Sequence, residues 1–127
     1  MNNLEAHAPR MLGVLRIISA LLLLAHGTQK FLGFPPSTMP APPLFSMYGA
    51  AGAIEIVCGV LLALGLFTRP GAFLAAGFSA AAYFIGHFPR GFWPAANGGD
   101  AAVLYCFVFL YILFAGPGAW AMDSNRR

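Results

Sequence analysis

The sequence predicts an all-α, transmembrane four-helix bundle with antiparallel, up-down-up-down helices, and three observations predict it. The 127 residues are 59% hydrophobic and only 9% charged, with a mean hydropathy of +0.73, too few charges for a water-soluble domain of this size. Four apolar stretches approach the roughly 20 residues a helix needs to cross a hydrocarbon core. The connections between them are short and rich in residues that stop helices. With no charged or Ser-rich linker, residues 1–127 read as one domain.

The first span runs from Met11 to Leu32, after Arg10. A cleaved secretory signal is the competing reading, with Ala25-His26-Gly27 as a loose cleavage site. Arg16 inside the apolar core argues against it, as do three further spans. The segment from Phe34 to Pro43 is proline-rich and is expected to lie extended across one mouth of the bundle. The second span, Phe45 to Phe67, and the third, Pro70 to Phe88, are separated only by a tight turn at Thr68-Arg69-Pro70-Gly71, with Pro70 near a first helical position. Small-residue spacings such as Gly49/Ala53, Gly59/Ala63, Gly71/Ala75 and Ala72/Ala76 predict close packing of these two helices. Between spans three and four, Pro89 to Asn97 carries Arg90, Phe92 and Trp93, which suit the lipid headgroup layer; Trp120 suits the other side. Asn97-Gly98-Gly99-Asp100 opens the fourth span, Gly99 to Ala115, as a relative of the capping box. Asn97 is expected to accept from the Asp100 amide, with the Asp100 carboxylate at the positive helix end.

Arg10, Arg69, Arg126 and Arg127 flank one face, and Lys30 and Arg90 the other, so the positive-inside rule places both termini in the cytoplasm. The basic residues are scattered singly, which gives no nucleic acid footprint. Cys58 and Cys106 lie in apolar runs away from any metal-ligand spacing, so buried free thiols and no metal site are expected.

Ionisable groups inside spans cost about 2.5–3.5 kcal/mol each at a helix centre and need partners or a use. Arg16, His26, Lys30, Glu55 and His87 are such groups. At 100° per residue, Arg16, Ser19, Ala20, Leu23, His26, Gly27 and Lys30 form a polar seam on the first helix. Glu55 falls near mid-membrane, where Lys30 and His26 are candidate partners; pairing with Arg16 to fix register is the structural alternative. Arg16 could equally snorkel toward the cytoplasmic interface. Lys30 and Arg90 also read as headgroup anchors, and Asn97 with Asp100 as a cap alone. Tyr83 and His87 share a face. Together His26, Lys30, Glu55, His87, Asn97 and Asp100 fall in one half of the bundle and predict a pocket opening outward.

The ordered set of motifs resembles the DoxX family of small bacterial integral membrane proteins. It comprises Arg16 with His26-Gly27 and Lys30, Glu55-Ile56 with Gly59, and Gly65-Leu66-Phe67-Thr68-Arg69-Pro70. It continues with His87-Phe88-Pro89, Gly91-Phe92, Asn97-Gly98-Gly99-Asp100 with Leu104-Tyr105, and Gly116-Pro117-Gly118 before Asp123. Asp100 stands where relatives commonly have Glu, and Ala121-Met122 where Ser-Leu is usual. The resemblance implies a four-helix inner-membrane bundle linked to sulfur and thiol redox chemistry. One relative is similar to the membrane subunit of thiosulfate:quinone oxidoreductase, and others are associated with oxidative-stress enzymes.

The expectation is therefore a membrane subunit that binds a quinone or a similar amphipathic molecule. Glu55 and His26 would be its catalytic pair, with Glu55 relaying protons. Lys30, Tyr83, His87, Asn97 and Asp100 would hold the ligand, while Arg16 and Arg69 would be structural. The sequence has no GxGxxG, no CxxCH and no iron–sulfur cysteine set, so no covalently bound cofactor is expected; electrons would come through the quinone or a redox partner subunit. Besides the lipid bilayer, a homo-oligomer is a further expected partner. The rival class is a non-enzymatic scaffold, assembly factor or small-solute carrier.

Overall fold

The computed structural model describes residues 3–38 and 40–125. Met39 of the proline-rich segment, and Arg126 and Arg127 of the orientation argument, lie outside the described residues. The helices are α1 (Asn3–Ala6), α2 (Ala8–Leu32), α3 (Met47–Leu64), α4 (Thr68–Gly86), α5 (Pro94–Asn97) and α6 (Asp100–Ala115), with 3₁₀ turns at Phe88–Arg90 and Met122–Asn125. The segment expected as a loop between the third and fourth spans thus contains a 3₁₀ turn and a short helix.

Local chemistry sets these ends. Ser46 starts α3, because its hydroxyl accepts from the Gly49 amide at 3.0 Å. Gly65 ends it in the left-handed region at φ 67°, returning its N–H to the last carbonyls. The second span therefore stops at Leu64 rather than Phe67. Helix α4 begins at Thr68 rather than Pro70, because the Asp123 carboxylate accepts from the Phe67 and Thr68 amides at 2.9 Å each. Pro70 then lies inside the first turn, where a missing N–H costs nothing.

Helices α2, α3 and α4 are long and apolar enough to cross a membrane, whereas α6 has 16 residues, about 24 Å at 1.5 Å per residue. The four run up-down-up-down. One end of the bundle, the terminus end, carries the start of α2, the α3–α4 turn and residues 116–125. The other, the loop end, carries the 33–46 and 87–99 connections.

Packing is uneven around the bundle. Helix α2 lies mainly on α3, and α4 mainly on α6, while α3 and α4 meet more lightly. The predicted close approach of α3 and α4 is corrected by the structure: the closest small-residue contact joins α2 and α3. A Cβ on Gly59 would sit 2.8 Å from Leu24 Cβ, and one on Gly27 would sit 2.9 Å from the Gly52 carbonyl oxygen. On the α4 side, a Cβ on Gly71 would meet Leu62 only at an ordinary 3.7 Å. Ala72, Ala75 and Ala76 instead join Phe109 and Ile112 of α6, with Leu23, Cys58 and Leu62, in the core. Large apolar side chains such as Ile18, Leu21, Val57, Phe73, Phe107 and Phe114 are exposed. On spanning helices these form the lipid-facing surface. Cys58 is buried and Cys106 half-buried, both as free thiols.

Candidate functional site

Because α2/α3 and α4/α6 form two tight pairs with a lighter seam between them, space opens at the loop end. It is a cavity of about 660 Å³, lined by all four long helices, within the 300–1,000 Å³ typical of small-molecule sites. Most of the wall is apolar, including Leu23, Ile54, Phe78 and a series of alanines. The polar wall residues are His26, Lys30, Tyr48, Glu55, Ser79, His87 and Tyr105.

Lys30 and Glu55 are the centre of this set. Lys30 Nζ lies 2.6 Å from Glu55 Oε1, with side chains only 10% and 7% exposed. The ammonium also lies 4.8 Å from the Tyr48 ring centroid, over its face. Lys30 is thus the partner of Glu55, and the alternative pairing with Arg16 does not form. Glu55 Oε2 has no bond from any described residue, so half of the carboxylate is left for whatever enters the cavity.

His26 stands beside this pair. Its Nδ1 is 2.8 Å from the Leu22 carbonyl oxygen, so it donates there and leaves Nε2 as an acceptor. The ring meets Tyr105 edge to face, with centroids 5.8 Å apart. Counting from the loop end of each helix at 1.5 Å per residue, His26, Glu55, Ser79 and Tyr105 all lie roughly 8–12 Å deep. They form one polar layer in an otherwise apolar space.

The sequence did not mark Ser79, which sits among alanines and reads as a small packing residue. Its residue is 2% exposed, and its hydroxyl has no hydrogen-bond partner among the described residues. Such a group costs about 1–3 kcal/mol when left unsatisfied. The Thr68 hydroxyl shares that state, but Thr68 lines neither this cavity nor the shallow apolar groove near Phe34.

The other expected ligand residues separate from the cavity. His87 reaches its rim, with Nδ1 3.2 Å from the Asn97 carbonyl oxygen and 3.0 Å from Arg90 Nη2; it donates to the first or accepts from the second, according to tautomer. Tyr83 and Asn97 are buried behind the wall. The Tyr83 hydroxyl donates to the Phe92 carbonyl and accepts from Asn97 Nδ2 at 3.1 Å. Asn97 Nδ2 also donates to the Gly91 carbonyl at 2.8 Å, and Asn97 Oδ1 accepts from the Gly99 amide at 2.8 Å. Both side chains hold the 87–99 connection in shape. The expected bond from the Asp100 amide to Asn97 is therefore corrected to one from Gly99, because Asn97 ends α5 and the N-cap of α6 is Gly99, two residues further on. Asp100 opens α6, exposed and off the cavity wall.

Arg16 is occupied at the opposite end. It is 0% exposed, so it does not snorkel. Its Nε donates to the Leu62 carbonyl at 2.9 Å, Nη1 to Pro117 and to Ala119 at 3.1 Å, and Nη2 to Trp120 at 3.0 Å. Residues 117–120 are thereby tied to α2 and to the end of α3, and the Asp123 amide bond to the Gly65 carbonyl at 2.9 Å completes the strap. Arg69 is exposed beside Gly116 at this same end.

Fold and site together define a small multi-pass membrane protein with a ligand-sized cavity at one end and a backbone-bonded strap at the other. The chain belongs to the DoxX family, whose model matches residues 11–88. It is similar to an uncharacterised protein of Haemophilus influenzae, 47% identical over 98% of this chain and 97% of that one. It also resembles an uncharacterised membrane protein of Mycobacterium tuberculosis, at 29% identity over 96% of this chain and 85% of the relative. The inner membrane protein YphA of Escherichia coli is likewise 29% identical, over 94% and 93%. No solved structure matches the chain.

Proposed function

We propose that this DoxX protein is an inner-membrane subunit that binds a quinone in the loop-end cavity and supports its electron and proton transfer. The observation that carries the reading is an apolar space of about 660 Å³ with a buried Lys30–Glu55 pair in its wall and one carboxylate oxygen unbonded. A quinone ring needs an apolar slot, hydrogen-bonding groups at its oxygens and a proton route when two electrons arrive. In this reading Glu55 and His26 serve as the proton route. A redox partner subunit supplies the electrons, and Lys30 holds the carboxylate in place.

Both termini face the cytoplasm in this reading. Arg10 and Arg69 are exposed at the terminus end, whereas Lys30 at the loop end is taken up by Glu55, leaving Arg90 there. The scaffold alternative is favoured by Arg16, Tyr83 and Asn97, whose bonds all serve the fold.

The test is native mass spectrometry with lipid extraction on protein removed gently from its own membrane. A co-purifying quinone that is lost in Glu55→Gln and His26→Ala supports the reading. Bulk phospholipid alone, with a partner protein or none, supports the scaffold.

A further inference from the structure

Two helix pairs enclose the cavity, and each contributes to its wall a residue with a hydrogen-bonding atom that has no partner among the described residues. From α2/α3 it is Glu55 Oε2, held in place by the Lys30 contact at 2.6 Å on the other oxygen. From α4/α6 it is Ser79: the residue lines the same cavity, and its Oγ is buried and without a partner among the described residues. A helical serine ordinarily returns its hydroxyl to the carbonyl a turn back, and Ser79 does not. The two residues lie at matching depth, eight residues from the start of α3 and seven from the end of α4.

We propose that Ser79 is a ligand-binding residue and that the cavity takes a ring with two oxygen functions, one met by Glu55 and the other by Ser79. This rests on the quinone reading and narrows it. Glu55, charge-balanced by Lys30, accepts from a ring hydroxyl, and Ser79 donates to the oxygen on the far side. A ligand with a single oxygen engages Glu55 alone and leaves Ser79 as it is in the empty protein. The second contact explains why a hydroxyl is kept on a helix face where alanine fills the neighbouring positions: bridging the helix pairs makes binding sensitive to both.

The experiment compares a decyl-substituted benzoquinol with the matching decyl phenol, each titrated into wild-type protein, Ser79→Ala and Glu55→Gln in detergent. Thermal melts of the unliganded proteins run beside the titrations. Ser79→Ala is expected to weaken benzoquinol binding about tenfold and to leave phenol binding unchanged. Its unliganded melting temperature equals or exceeds that of wild type, because an unsatisfied hydroxyl has gone. Glu55→Gln weakens both ligands. Equal benzoquinol affinity in wild type and Ser79→Ala, or an equal loss for both ligands, overturns the two-point assignment while leaving the quinone reading standing. If wild type binds neither probe, the quinone reading itself fails and this assignment falls with it.

Discussion

The two ends of the bundle use polar residues in opposite ways. At the terminus end Arg16 makes four hydrogen bonds to backbone carbonyls, close to the full capacity of a guanidinium. Asp123 accepts two amides. At the loop end Glu55 uses one oxygen and Ser79 none. A charge inside a spanning helix is therefore not a functional mark by itself. What separates the ends is bonding capacity left unfilled beside an open space.

Substitutions that break or sharpen this contrast fall in a clear order. Arg16→Ala leaves the carbonyls of Leu62, Pro117, Ala119 and Trp120 without their donors and frees the strap, so at least about 3 kcal/mol of stability should be lost. Arg16→Lys should recover little of it, since an ammonium lacks the planar fork. Thermal melts in detergent measure both, and a variant that stays fully stable yet loses ligand would erase the distinction between the ends. Gly27→Val comes next, at about 1–3 kcal/mol, because a Cβ there already meets Ile56 at 2.6 Å. It should also move α2 off α3 and part Lys30 from Glu55, which reduced ligand affinity in the folded fraction would report.

Tyr83→Phe removes one hydroxyl shared by Phe92 and Asn97 and should cost about 1–2 kcal/mol, with ligand affinity unchanged. A binding loss with intact stability would return Tyr83 to the site. Asp100→Ala should change stability by about 0.5 kcal/mol or less and leave binding untouched, since the residue is exposed and off the wall. Titration of the purified variant checks this.

The helices were legible from the sequence because apolar runs and proline-rich breaks act locally. The Lys30–Glu55 meeting was legible too, as one of the alternatives open to a buried carboxylate. Arg16's role was not, since its partners are backbone carbonyls, which carry no side-chain identity for a pattern to detect. The start of α4 was equally hidden, because its cap is Asp123, 55 residues further along the chain. Small-residue spacing correctly marked close packing but not the partner: Gly59 faces Leu24 on α2 rather than α4. Asn97 and Asp100 looked like a pair because they are three apart, but the break at Gly98 and Gly99 turns one inward and the other out. Ser79 acquires meaning only once α4 is rotated to face the cavity.

The most direct test of the contrast is ligand-induced thermal stabilisation of wild type, Glu55→Gln and Arg16→Lys with a decyl-substituted benzoquinol, whose hydroxyl donates to Glu55. In Glu55→Gln the amide oxygen still accepts from Lys30, so the melting temperature without ligand should fall less than in Arg16→Lys, while the stabilisation by quinol disappears. Arg16→Lys should melt much lower yet keep that stabilisation. If Glu55→Gln instead melts as low as Arg16→Lys and retains the full quinol shift, both ends are scaffolding and the account is wrong.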